Sequence, residues 1–182
     1  MDIICKITDE EFGAKSVEMT DFTLRRASRG IIMREDGKIA ILNKVNKNEY
    51  KLIGGGIEGD EDPKIAFQRE ALEESGCEIE INEYLGTIEE YRSLKNLKQI
   101  SHIFVANVTN DLHELNLTEK EIKEGSKLMW VTPNEALELI TDCYDKLTLI
   151  DSDDIYHTKF VVLRDVKILE YYLAKVMDHH RL

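Results

Sequence analysis

The run Gly54-Gly55-Gly56 is the feature that most narrows what this chain can become. Residues without a Cβ let the backbone bend, and let a ligand or another segment approach closely. The run closes a short stretch, Tyr50–Ile53, read as a strand, and leads into an acidic loop, Glu58-Gly59-Asp60-Glu61-Asp62. A helix is predicted next, with Asp62 as its N-cap, Pro63 at the first position and Gly76 just past its end.

The rest of the chain is mostly strand-like. Within the mixed stretch 1–21, Ile3–Ile7 reads as an edge strand, an N-terminal extension of the main fold. Thr23–Met33 follows, then an Asp36-Gly37 turn and Ile39–Leu42. Ile79–Ile88 and Ile100–Val108 are predicted strands joined by a turn around Asn96, and Lys127–Val131 is a further short one. Thr132-Pro133-Asn134-Glu135 is a capping box that opens a helix to about Ile140. Val161, Leu169, Leu173 and Val176 mark a C-terminal helix over 157–178, with Asp151-Ser152-Asp153-Asp154 read as the loop before it. No linker divides the sequence, so residues 1–182 are expected to form one α+β domain with a mixed β-sheet.

Charge narrows the partners. The formal net charge of −12 repels phosphate backbones, so binding to nucleic acid through a basic patch is excluded. A phosphate-bearing ligand would need metal ions to bring two negative partners together. No apolar run reaches the ~20 residues that span a membrane. Met1-Asp2 puts an acid where a signal peptide has a basic flank. Cys5, Cys77 and Cys143 have neither zinc nor disulfide spacing, and are expected to be reduced thiols. The expected setting is cytoplasmic.

Helix 63–75 carries its charge the wrong way round. Glu70, Glu73 and Glu74 fall within an arc of roughly 100°, so like charges crowd one face. They also occupy the C-terminal half, where the helix dipole disfavours anions by ~0.3–1 kcal/mol each. Something positive should compensate. Clustered carboxylates suit a hard divalent cation such as Mg²⁺ or Mn²⁺, which takes one or two carboxylates, waters and substrate phosphates. Arg69, beside the cluster, can fork onto one carboxylate and hold it.

Gly55, Glu61 and the run Arg69-Glu70-Ala71-Leu72-Glu73-Glu74-Ser75-Gly76-Cys77 stand at spacings that resemble the Nudix box throughout. A looser resemblance runs from about Arg25 to Leu139. It implies a Nudix-type α/β/α sandwich and a hydrolase that cleaves a nucleoside diphosphate linked to another group X, using Mg²⁺ or Mn²⁺. By position, Glu70, Glu73 and Glu74 resemble the metal-binding carboxylates, and Gly55 the loop position whose backbone reaches the metal. Arg69 and Glu61 resemble the pair that steadies the catalytic helix. Ile53 stands where many members have proline before the glycines.

Family members often take the general base from a loop beyond the box. Here that loop is Leu117–Glu124, with Glu121 ahead of Glu119 and Glu124, although Thr118-x-x-Glu121 also reads as a capping box. Gly55, Gly56, Arg29 and Tyr91 are the candidate substrate contacts, Tyr91 for a nucleobase. Strand alternation puts Arg25 and Arg29 on one face and Arg26 on the other. The family's signals for ADP-ribose, dinucleoside polyphosphate, coenzyme A and isoprenoid isomerase substrates are absent, which leaves a nucleoside triphosphate or a nucleotide sugar. A small-molecule nucleotide is therefore the expected partner, with no nucleic acid, no membrane and room for a homodimer. The alternative is a Nudix-fold module that binds a nucleotide without cleaving it. Retention of all three glutamates favours the enzyme.

Overall fold

A computed structural model describes residues 2–147 and 153–179. Seven strands form one sheet: β1 (Ile3–Thr8), β2 (Thr23–Met33), β3 (Ile39–Lys44), β4 (Glu49–Gly56), β5 (Cys77–Arg92), β6 (Leu97–Asp111) and β7 (Ser126–Val131). Their order is β1-β5-β6-β2-β4-β3-β7. The β1–β5 and β2–β6 pairs are parallel and the others antiparallel, so the sheet is mixed. Among the described residues four α-helices accompany it: α1 (Pro63–Ser75), α2 (Glu119–Lys123), α3 (Pro133–Lys146) and α4 (Asp153–His179).

Alternation along the strands feeds two cores. Ile32, Ala40, Leu42, Ile53 and Phe104 pack against Phe67 and Ala71 of α1. Ile31, Ile39, Ile41, Leu52 and Ile103 face the other way, onto Ile140 of α3 and Phe160, Leu163 and Val166 of α4. The result is an α/β/α sandwich. Among the described residues the three cysteines are free.

Several boundaries move. β5 and β6 run well past the apolar stretches that predicted them, because ladder hydrogen bonds continue through polar positions such as Glu89, Glu90 and Gln99. α3 continues to Lys146 rather than Ile140. Asp153 and Asp154 are already in α4, not in a loop, while Asp151, Ser152 and His180 lie outside the described residues.

Two details position the site. Asp165, fully buried on α4, accepts from the Leu52 amide at 2.9 Å and so pins α4 to β4. β5 shifts register against β6 at three points, and its Ile79 packs on the α1 side while Ile88 packs on the α3–α4 side.

Candidate active site

Helix α1 is held at both ends as its sequence predicts. Asp62 accepts from the Lys64 amide at 2.8 Å, and Gly76 at φ 66° donates to the Leu72 carbonyl at 3.0 Å. The positive charge its glutamates require comes from two side chains. Arg69 forks onto Glu61, with Nε to Oε1 at 3.1 Å and Nη2 to Oε2 at 3.2 Å. Its Nη1 reaches Glu70 at 2.8 Å and Glu73 at 3.2 Å, and Nη2 also donates to the Gly56 carbonyl at 2.9 Å. Arg69 thereby ties the loop, the glycine turn and the helix together. Its hydrogen bonds to Glu61 raise the guanidinium pKa and lower that of Glu61.

The second cation is Lys51 on β4. Glu74 is 2 % exposed; its Oε1 lies 2.5 Å from Lys51 Nζ and its Oε2 accepts from the Gly54 amide at 2.9 Å. Gly54 has φ 139°, and a Cβ there would fall 2.5 Å from Arg29 Cα, so no other residue fits. Gly55 is required for a different reason: a Cβ on it would fall 2.5 Å from Glu70 Cδ and Oε2. The Glu70 carboxylate thus lies directly over the bare Gly55 backbone.

Glu121 serves two purposes. In α2 it completes the capping box, its Oε2 accepting from the Thr118 amide at 2.9 Å and hydroxyl at 2.8 Å. Its other oxygen lies 3.8 Å from Lys51 Nζ. Burial pushes Glu74 up to about 7, partly offset by Lys51. Burial also acts against ionised Glu121, but hydrogen bonds from Glu74 and Thr118 outweigh it and hold its pKa below the usual range. Of the two carboxylates, Glu74 is the one that burial makes easier to protonate, and Glu121 is the one held ionised.

These groups line one cavity of about 300 Å³. Gly54, Gly55, Glu70, Glu74 and Glu121 form one side, with Glu124 beside them. Arg25 and Arg29 of β2 share the cavity, as strand alternation predicts. Lys44, Lys51, Arg92, Lys120 and Arg164 complete a lining of seven Lys or Arg side chains against four Glu, in a chain of net charge −12. The fold therefore gathers its own positive charge at the site, where composition alone left that task to metal ions.

Sequence reasoning missed Lys51, Arg92, His157 and Arg164. The one available signal was the charged pair Arg164-Asp165 inside the buried run Phe160–Leu169 of α4. Three expected contacts fall elsewhere. Glu73 points outward at 34 % side-chain exposure, held by Arg69. Gly56 presents its carbonyl to Arg69 rather than lining the cavity. Tyr91 is not among the lining residues: it donates to Glu89 at 2.5 Å and lies under Lys98, while the next residue, Arg92, lines the cavity. Glu119 does not line the cavity either.

A mixed sheet between helices, with a glutamate-rich helix locked by arginine over a glycine turn, defines a Nudix-type hydrolase. The chain belongs to the Nudix family: the family model "NUDIX domain" matches residues 23–150. A "MutT-like protein" of Streptomyces ambofaciens is 27% identical over 127 residues, which is 69% of this chain and 74% of that protein. "Diphosphoinositol polyphosphate phosphohydrolase 3-alpha" of Mus musculus is 27% identical over 107 residues, or 59% of this chain. The match spans 62% of that mouse protein, under two thirds of its length. Among solved structures, a Nudix hydrolase from Nitrosomonas europaea superposes with a TM-score of 0.58 at 15% identity, covering 84% of this chain and 90% of that one. At that identity the likeness shows the fold. By class the protein is a Nudix pyrophosphohydrolase.

Nudix hydrolases generally use divalent metals, and the site's chemistry can be set against that. Glu70, Glu74, Glu121 and the Gly55 backbone offer only hard oxygen donors around one cavity. Lys51 Nζ stands between Glu74 and Glu121, where it serves as a built-in cation. With Arg69 and Lys51 engaging the carboxylates, no three acidic, His or Cys side chains converge on one point among the described residues. The donor set fits a hard divalent ion once those carboxylates turn from their protein partners.

Proposed function

We propose that residues 1–182 act as one cytoplasmic Nudix domain that hydrolyses the diphosphate linkage of a small phosphorylated substrate with Mg²⁺ or Mn²⁺. The substrate is a nucleoside diphosphate linked to X, a nucleoside triphosphate or a nucleotide sugar. One observation carries the reading: Glu70, Glu74 and Glu121 meet a wall of Lys and Arg side chains across a single cavity. Glu70, Glu74 and the Gly55 backbone would hold the ion. When bound, it supplies charge neutralisation on the diphosphate and a lower pKa for an attacking water.

The chain's own residues do the rest. Arg69 and Glu61 keep Glu70 at its station over Gly55. Lys51 orients phosphate oxygens through charge-assisted hydrogen bonds. Glu121, ionised at neutral pH, accepts the proton of the attacking water. Glu73 supports Arg69 from outside and completes the acidic face.

A second substrate reading has its own support. No Phe, Tyr or Trp is among the described residues that line the cavity, which favours a substrate held by its phosphates over one held by base stacking. The names of the diphosphoinositol polyphosphate phosphohydrolases, which this chain resembles at 25–27% identity, point to heavily phosphorylated substrates for those proteins.

A substrate panel read by mass, containing nucleoside triphosphates, nucleotide sugars and inositol pyrophosphates with Mg²⁺ or Mn²⁺, tests both readings. Turnover should fall at least ~100-fold, or ~2.7 kcal/mol in the barrier, in Glu70→Gln and Glu74→Gln. Saturable binding of a panel member that stays intact would instead make this a non-catalytic module.

A further inference from the structure

Across the cavity from the glycine turn lies a cluster of arginines that the hydrolytic chemistry does not use. Arg29, Arg92 and Arg164 are 5 %, 2 % and 1 % exposed. Two buried acids hold two of them: Arg92 Nη2 donates to Glu90 at 2.9 Å, and Arg164 Nε to Asp165 at 2.9 Å. Among the described residues no acid pairs with Arg29 in this way. Its buried Nε, like that of Arg92, has no hydrogen-bond partner among the described residues.

Glu90, Asp165 and Glu74 act on Arg29 only from a distance, so its charge is left without a partner at contact range among the described residues. Leaving a charge out of water costs several kcal/mol unless a partner repays it, so this arrangement awaits an anion. Burial, then Arg164, push Arg29 down to about 10, which still leaves it charged at neutral pH. Nor does His157 relieve the excess: it lies 2.6 Å from Arg92, whose charge helps hold it neutral. Arg25, exposed on the same face of β2 as Arg29, extends the positive wall to the cavity mouth.

Part of this wall comes from outside the matched region. His157 and Arg164 belong to α4, whereas the family model ends at residue 150. We infer that Arg25, Arg29 and the α4-backed arginines form a phosphate-binding subsite for a phosphate of the substrate other than the two whose linkage is cleaved. The substrate class that follows is a diphosphate bearing at least one further phosphate. Guanidinium forks match the tetrahedral oxygens of such a group. The assignment to substrate rests on the hydrolase reading above, while binding of the anion does not.

The test separates the two. Inorganic phosphate is titrated into the full chain in EDTA, by calorimetry or by ³¹P line broadening. Wild type should bind saturably, and Glu70→Gln should bind as wild type does. Arg29→Met should weaken binding at least ~10-fold, the scale of one charge-assisted contact, without lowering the melting temperature. Arg25→Gln, at an exposed position where folding is not at stake, should weaken it too. In turnover, Arg25→Gln should raise KM for substrates with a third phosphate and leave kcat unchanged. Absence of phosphate binding by wild type, or wild-type affinity in both arginine variants, overturns the subsite. Arg29-dependent binding with no turnover on any substrate sustains the subsite and removes the hydrolase.

Discussion

Gly55→Ala isolates the geometric requirement of the site. Gly55 does not have a positive φ, so its backbone accepts alanine without strain. The obstacle is Glu70: the new Cβ would lie 2.5 Å from its Cδ and Oε2. Ordinary non-bonded contact needs ~3.5 Å, so the carboxylate must retreat by about 1 Å. That retreat loosens the 2.8 Å bond from Arg69 and carries Glu70, the metal ligand proposed above, off its station. A displacement of that size costs ~100-fold in rate. The stability cost should be small, because the obstructing atoms are the far end of a side chain. The low end of the overpacking range, ~1 kcal/mol, lowers the melting temperature by roughly 2–4 °C in a domain of this size. The assay is kcat/KM across a metal titration, run as a double-mutant cycle with Glu70→Asp, whose shorter side chain leaves room for the methyl group. The two losses should then be far from additive. Full activity in Gly55→Ala, or strict additivity in the cycle, would refute the contact as the reason for glycine.

Glu121→Gln keeps the capping box, which accepts glutamine as readily as glutamate, and removes the carboxylate beside Glu74. Its melting temperature should match wild type while turnover falls at least ~100-fold, ~2.7 kcal/mol, and the acidic limb of the pH–rate profile disappears. Retained activity would reduce Glu121 to a cap. His157, withdrawn from water and set beside Arg92 and Arg164, is held down to about 3. The unfolded chain takes up its proton near pH 6.5, whereas the folded state does not until about pH 3. Stability from this group is therefore full above pH 6.5 and is lost as pH falls through that window. His157→Gln should flatten the acid side of a melting-temperature profile between pH 6.5 and 4, and an unchanged slope would count against it.

Much of the fold is legible in the residues because local rules decide it. Asp62-Pro63 and Gly76 fix both ends of α1, Thr132-Pro133 opens α3, and short runs of strand-favouring residues mark the seven strands, though not their ends. The spacing of Gly55, Glu61, Arg69, Glu70 and Glu74 likewise encodes its own geometry, since helix periodicity and a fixed loop length bring them together whatever surrounds them. Other features depend on which strands become neighbours. Tyr91 stays outside the cavity and Arg92 enters it, because which face of β5 meets the site is decided by the strands and helix packed against it and not by the local sequence. Lys51 reaches Glu74 across 23 positions, and Asp165 pins α4 to Leu52 across 113. The sequence alone thus determined the acidic helix and its glycine turn, which are set by contacts a few residues apart. Only the tertiary structure decided that the far wall of the cavity would be basic in an acidic chain, because charges distant in sequence sum at one point only after packing has brought them there.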